Sequence, residues 1–466
     1  MKRYLFLLAL AVATVSHAQL RLPPIFDDHM VLQQQSPVPI WGWSHPTLEV
    51  IVNVSWDTTT YRTKSDNGTF WKTVINTPVA GGPHTITIQA GGETRVLQDV
   101  LSGEVWLCSG QSNMEWGLHV TNDAKDILDE INDPMIRLFQ IPKSAAGTPQ
   151  VRGEGDWKVC DQESARYFSA VGYFFGKKLQ QQLNVPIGLI NASWGGTPAE
   201  VWLPREKIEM NADLKKAAEK QVDNRPWCPS APGVVYNAML HPIIPFRLAG
   251  AIWYQGESNT SAPLTYKTLM ENLILEWRKQ FETDFPFYYV QIAPWSGYGD
   301  VETGTLLREQ QVKMLGIPKT GMVVISDVVE DPAELHPRFK KPVGERLANV
   351  ALGDHYGKTG IVYRTPLYKS MKIEKKAIRI SFDHVPSGLA IIGREANEFM
   401  IAGEDQKFYP AKAKIEGNTI IVLAKEVKAP VAVRFGWRNG ALPNLFSRDG
   451  LLPVPAFRTD DWPMLK

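Results

Sequence analysis

Cysteine is scarce: the 466-residue chain holds only Cys108, Cys160 and Cys228, which permits one internal disulfide at most and excludes a disulfide-stapled scaffold. An excess of one charge sign is missing as well. Fifty basic residues against 49 acidic ones leave a formal +1, so nothing draws the whole surface to nucleic acid or anionic lipid, and partners must be read locally. No two histidines and no Cys-x-x-Cys stand at metal-ligand spacing, and no glycine-rich phosphate loop occurs. The sequence therefore calls for neither metal nor cofactor. Beyond the first residues no apolar run is long enough to span a bilayer, and nothing signals an oligomeric state.

What is present begins with Met1, Lys2 and Arg3, an apolar run over 4–15, and Ser16-His17-Ala18. That is the pattern of a secretory signal peptide over 1–18, so the mature chain is expected to start at Gln19 and to work in the periplasm or outside the cell. Cys160 and Cys228 are free to pair there, although nothing local requires it; Cys108 reads as a small buried hydrophobe. A hydrophobic content of 44% in so long a chain supports more than one core.

Three regions follow. Residues 19–97 alternate like strands and are punctuated by Gly42, Asn67-Gly68 and Gly81-Gly82-Pro83, which predicts a small β domain with Trp41 and Trp43 in its core. Over 98–360 strand-like runs (104–108, 185–191, 250–254, 287–292, 321–326) alternate with helical periods (164–183, 205–222, 264–280, 306–314). That order predicts an α/β layer, a parallel sheet with helices on both faces and its site at the C-terminal ends of the strands. From 361 to 466 strand composition returns, giving a second β domain and an extended tail.

The chemistry concentrates at 101–114, LSGEVWLCSGQSNM, where a strand meets Ser-Gly-Gln-Ser-Asn. Ser112 stands there as a nucleophile at a strand-to-helix turn, with helix capping as the plainer alternative. A serine needs a base. Of the histidines, His336 lies in a loop after the last predicted strand, where the chain returns to the crevice; Asp327, Glu330, Asp331 and Glu334 lie near it as orienting acids. Ser193-Trp194-Gly195-Gly196-Thr197 ends one strand and Gln255-Gly256-Glu257-Ser258 ends another. Gly195 N–H and the Gln255 amide thus become candidate oxyanion donors.

Several stretches together resemble the sialate O-acetylesterase family, serine esterases of the SGNH-hydrolase type: FDDHMVLQ at 26–33, GQSNM at 110–114, NASWGGT at 191–197, WYQGESN at 253–259, His336-Pro337, and FRTD at 457–460. The resemblance implies Ser112 as nucleophile, His336 as base, and Gly195 and Gln255 completing the oxyanion hole with Ser112 N–H. It implies an acid three residues before the histidine, where this chain has Ala333. Glu334 is the first substitute, then Asp331 and Asp327, then a Ser–His dyad. An O-acetylated sugar is the implied partner, with Gln111, Asn113, Trp194 and Glu257 assigned to substrate binding and Arg308 to the carboxylate of a sialic acid. Acetylated xylan, met by Trp194, Trp253 or Trp295, is the enzymatic alternative; a non-catalytic glycan-binding protein is the other.

Overall fold

The strand β1 (Glu93–Gly110) is the spine of the molecule in the computed structural model, which describes residues 20–221, 226–299 and 302–464. The signal segment expected over 1–18 lies outside the described residues. After the turn α1 (Ser112–Glu115) come β2 (Asn132–Gln140), β3 (Trp157–Asp161), α2 (Ala170–Leu183), β4 (Ile187–Ser193), β5 (Gly250–Tyr254), α3 (Tyr266–Gln280), β6 (Phe287–Val290), α4 (Thr303–Lys313), β7 (Thr320–Val323) and α5 (Lys340–Val350). The strands lie in the order β7-β6-β5-β1-β4-β2-β3.

From Val100 onward every residue of β1 is buried, as a strand covered on both faces requires. Its side chains alternate between two cores. Trp106 and Cys108 pack with Val171, Phe175 and Leu347 of α2 and α5, whereas Val105 and Leu107 join Leu273, Trp277 and Leu307 of α3 and α4. The helices thus cover both faces, as expected. Local signals start and stop α2: Ser169 Oγ accepts from Gly172 N–H at 3.0 Å, and Asn184 ends the helix in the left-handed conformation. A Cβ on Gly344 of α5 would lie 2.6 Å from the Val171 carbonyl, so glycine there lets the two helices touch.

The sheet is mixed, which corrects the expectation of a wholly parallel one. Six strands from β7 to β2 run parallel, but β3 is an antiparallel edge on β2. The first half of β1 pairs antiparallel with Gly81–Ala90. The N-terminal β unit and the α/β layer therefore share one continuous strand. Trp41 is buried edge-on to Phe26, in keeping with a core role, while half-buried Trp43 carries the Arg152 guanidinium 5.1 Å over its ring. The C-terminal residues form two four-stranded sheets around a core of their own, including Ile380, Phe399 and Phe435. Cys160 lies on β3 and Cys228 beside the Gly196 turn, and no disulfide joins them. Among the described residues no helix is long and apolar enough to cross a membrane.

Candidate active site

Strand register assembles the site. Ser193 at the end of β4 and Tyr254 at the end of β5 both stand opposite Gly110 on β1, so three loops leave the sheet side by side. Gly110 has φ of 137°, and a Cβ there would lie 2.2 Å from the Tyr254 carbonyl. Only glycine fits this crossing. Trp194 N–H then donates to the Gly110 carbonyl and Gln111 N–H to the Tyr254 carbonyl, each at 3.0 Å, which locks the loops around the turn.

Ser112 is the first residue of α1, where a backbone N–H has no acceptor within the helix. Its Oγ is 2.9 Å from His336 Nε2. The loop between β7 and α5 thus returns to the crevice and brings together two residues 224 positions apart. The imidazole stacks on Trp116, centroids 4.5 Å apart and planes 19° from parallel. Burial, with the Lys340 ammonium adding to it, lowers the His336 pKa to about 4. Asn113 Nδ2 donates to the Leu335 carbonyl at 3.2 Å, tying the residue after the serine to the one before the histidine.

The acids behave differently from expectation. Asp327 is engaged by both Nη atoms of Arg346 at 2.7 and 2.6 Å, and Asp331 Oδ1 accepts from Ala333 N–H. Glu334 is exposed, and its N–H closes a turn on the Asp331 carbonyl. Among the described residues no carboxylate hydrogen-bonds His336. The geometry is that of a Ser–His pair, and the expected role of Glu334 is not met.

Gln255 also needs correction as an oxyanion donor. It is fully buried: Nε2 donates to Asn259 Oδ1 at 2.7 Å and to the Thr197 carbonyl at 3.2 Å, and Oε1 accepts from the Tyr266 hydroxyl at 2.9 Å. Both of its N–H groups are committed to holding the loops. Gly195 is better placed, since a Cβ on it would lie 3.2 Å from Ser112 Cβ; its N–H donates to the Glu115 carboxylate, which pairs with Lys143. A carboxylate therefore sits against a backbone donor beside Ser112.

The residues assigned to substrate binding divide. Gln111, Asn113 and Glu257 are buried and serve the scaffold: Gln111 Oε1 accepts from Gly256 and Ser258 N–H, and Asn113 Nδ2 donates to Glu257 Oε1 at 2.8 Å. Arg308 is buried with its guanidinium spent on the Asn439 and Arg438 carbonyls at 3.0 and 2.8 Å and on Thr305 Oγ1. Those bonds leave it unlike the free carboxylate reader it was expected to be, and burial lowers its pKa to about 10. Trp194 remains half-buried at the mouth, its Nε1 donating to the Trp227 carbonyl at 2.8 Å. Trp253 is wholly buried, and Trp295 Nε1 is bonded to the Ala333 carbonyl.

Sequence reasoning missed Glu115, Trp116, Trp227 and Lys340. Trp227, 64% exposed beside the Gly196 turn, carries no motif of its own. Lys340 heads a Lys-Lys pair that reads as a solvated helix start, yet it is buried, with Nζ donating to Asn113 Oδ1 at 2.6 Å. Trp116 lies four residues past Ser112, one helical turn along, and that spacing was the available signal.

Residues 102–353, more than half of the chain, match the family described as "Carbohydrate esterase, sialic acid-specific acetylesterase". The chain is 29% identical to the sialate O-acetylesterase of Rattus norvegicus, with 97% of each chain covered, and 30% identical to that of Homo sapiens, with 95% and 94% covered. The crystal structure of a carbohydrate acetylesterase from Xanthomonas citri superimposes with a TM-score of 0.87 at 38% identity, covering 95% of this chain and all of that one. On these grounds, with the Ser–His pair at the strand ends, the chain belongs to this family of carbohydrate esterases, whose activity is the removal of O-acetyl groups from sugars.

Proposed function

We propose that the protein is a metal-independent serine esterase of the SGNH type that deacetylates carbohydrate through Ser112 and His336. The observation that carries this reading is the 2.9 Å contact between Ser112 Oγ and His336 Nε2 at the mouth formed by the ends of β1, β4 and β5. His336 Nε2 takes the Ser112 proton as Oγ attacks the acetyl carbonyl. The Ser112 and Gly195 N–H groups hold the resulting oxyanion, once the incoming ester has displaced the Glu115 carboxylate from Gly195. The C–O bond to the sugar then breaks, and the sugar oxygen leaves with the proton from His336. Water, deprotonated by the same imidazole, attacks the acetyl-serine and releases acetate.

Trp194 and exposed Trp227 supply the flat apolar surface on which a pyranose face stacks. With Arg308 committed to backbone carbonyls, the cation expected for a sialic acid is missing from its assigned place. This favours an acetylated neutral glycan, such as a xylan fragment. A second reading, O-acetylated sialic acid, is favoured by the relatives' names and by half-exposed Lys143 near the nucleophile, whose partner Glu115 a substrate carboxylate would replace. Acetate release from acetylated xylo-oligosaccharide and from O-acetylated sialic acid, measured side by side for wild type and Ser112→Ala, separates them. Faster Ser112-dependent release from the xylo-oligosaccharide is expected. Release from sialic acid alone gives the second reading, and release that survives Ser112→Ala removes both.

Export is proposed from the first 18 residues. A mature N-terminus at Gln19, read by N-terminal sequencing of the secreted protein, is the expected result; an intact Met1 outside the cell would contradict it.

A further inference from the structure

Among the described residues no carboxylate aims the imidazole of the Ser112–His336 pair, yet a lysine, an asparagine and a glutamate are buried directly behind it. Asn113 Oδ1 accepts from Lys340 Nζ at 2.6 Å; Asn113 Nδ2 donates to Glu257 Oε1 at 2.8 Å and to the Leu335 carbonyl at 3.2 Å. Lys340 comes from the first turn of α5, Glu257 from the loop after β5 and Asn113 from α1, so three elements converge on one amide.

The chemistry of the flanking groups fixes that amide. An ammonium has only donors and a carboxylate only acceptors, so Oδ1 must face Lys340 and Nδ2 must face Glu257. The second hydrogen on Nδ2 is then aimed at the Leu335 carbonyl, one residue before the base. Lys340 Nζ also lies 5.5 Å from the centroid of Trp116, the ring on which His336 stacks. Burial disfavours the charged form of each, lowering the Lys340 pKa to about 7 and raising that of Glu257. Among the described residues they form no direct salt bridge with each other, and Glu257 Oε2 has no hydrogen-bond partner. Apolar side chains of similar volume would fill such a space at no loss of stability, and commonly with a gain. What an apolar filling cannot do is orient an amide.

We propose that Lys340 and Glu257 clamp Asn113 as the positioning residue of the catalytic pair, and that its bond to the Leu335 carbonyl, in place of a carboxylate on the imidazole, sets His336 against Ser112. The proposal rests on the Ser112–His336 reading above, and its test separates the two.

The test uses the full mature protein with 4-nitrophenyl acetate at pH 6, where Lys340 is an ammonium and His336 is neutral. Lys340→Met removes the donor to Oδ1 while keeping the volume. Its kcat is expected to fall about 100-fold, the scale of a misplaced catalytic group, with KM within about threefold and a lowered melting temperature, because Asn113 Oδ1 loses its donor and Glu257 its nearby cation. A purely structural lysine would lower the melting temperature but leave the kcat of folded protein, checked by circular dichroism at the assay temperature, near wild type, and that result overturns the proposal. Should Lys340→Met fail to fold, the double variant Asn113→Asp with Glu257→Gln decides. Gln at 257 donates where Asp at 113 accepts and Lys340 keeps its partner, so the packing survives; only the Leu335 carbonyl is left facing an acceptor. A folded double variant with kcat lowered about 100-fold supports the positioning role, and one at wild-type kcat overturns it. Ser112→Ala is the control. If it retains activity, the Ser112 reading itself fails; if it is inactive while the clamp variants equal wild type, only the clamp fails.

Discussion

At the scale of single residues, the proposed reaction runs on an imidazole kept neutral by burial. A protonated imidazole accepts no proton, so activity falls as pH drops through the folded-state pKa of His336, about 4, rather than through the ordinary 6.5. The expected kcat/KM profile is flat from neutral pH to about 5, with its acid limb near 4; a limb near 6.5 would show that the ring is solvated or paired with an acid. Stability follows the same sign. Between 6.5 and about 4 the unfolded chain binds the proton first, so the folded state loses stability as pH falls through that window. Gln255 offers a second check. Gln255→Ala strands Asn259 Oδ1, the Thr197 carbonyl and the Tyr266 hydroxyl in the interior. It is expected to cost about 1–3 kcal/mol per abandoned buried group in denaturant unfolding. Full stability with a large fall in kcat would return Gln255 to the oxyanion hole. The meeting of Ser112 and His336 was legible in the sequence because residue type and motif single out both. The fate of Gln255 was not, because an amide at a strand end reads alike whether it faces the crevice or its own loops.

At the scale of elements, three strand ends in register around one glycine make the site. Gly110→Ala places a Cβ 2.2 Å from the Tyr254 carbonyl in a conformation that favours glycine. The expected loss is about 3 kcal/mol, at the upper end for one substitution, with activity lost alongside; thermal unfolding checks it, and a wild-type melting temperature would contradict it. The alternation of strand and helix was legible, since β4, β5 and the second half of β1 are apolar runs that end in polar turns. Other elements hid for physical reasons. The strand β2 opens with Asn132-Asp133-Pro134, which breaks the alternation, and β3 is an edge strand of five residues. The helical period over 164–183 divides into Gln162–Arg166 and α2 because Ser169 caps the second helix.

At the scale of the whole molecule, the C-terminal unit reaches the loop that carries His336 through Arg308. Its guanidinium grips the Asn439 and Arg438 carbonyls; the Asn439 carbonyl also accepts from Trp295 N–H, and Trp295 Nε1 donates to the Ala333 carbonyl, three residues before His336. Arg458 adds a second tie to Glu309 of α4, at 2.8 Å. Arg308→Met is therefore expected to cost about 3 kcal/mol of stability, from buried carbonyls that lose charged donors, and to slow turnover without changing the preference between neutral and acidic sugars. A change in that preference, measured as the ratio of kcat/KM for the two acetylated substrates, would restore Arg308 as a substrate ligand. The sequence revealed the charge of Arg308 but not its partners, which lie some 130 positions away and meet it only through the fold.

The most direct test of the Ser112 mechanism is intact-protein mass spectrometry of enzyme quenched in acid during turnover of 4-nitrophenyl acetate, with the labelled peptide sequenced. One acetyl group on Ser112 in wild type, and neither label nor turnover in Ser112→Ala, is the expected result. An acetyl group on another residue, or turnover that persists in Ser112→Ala, would contradict it.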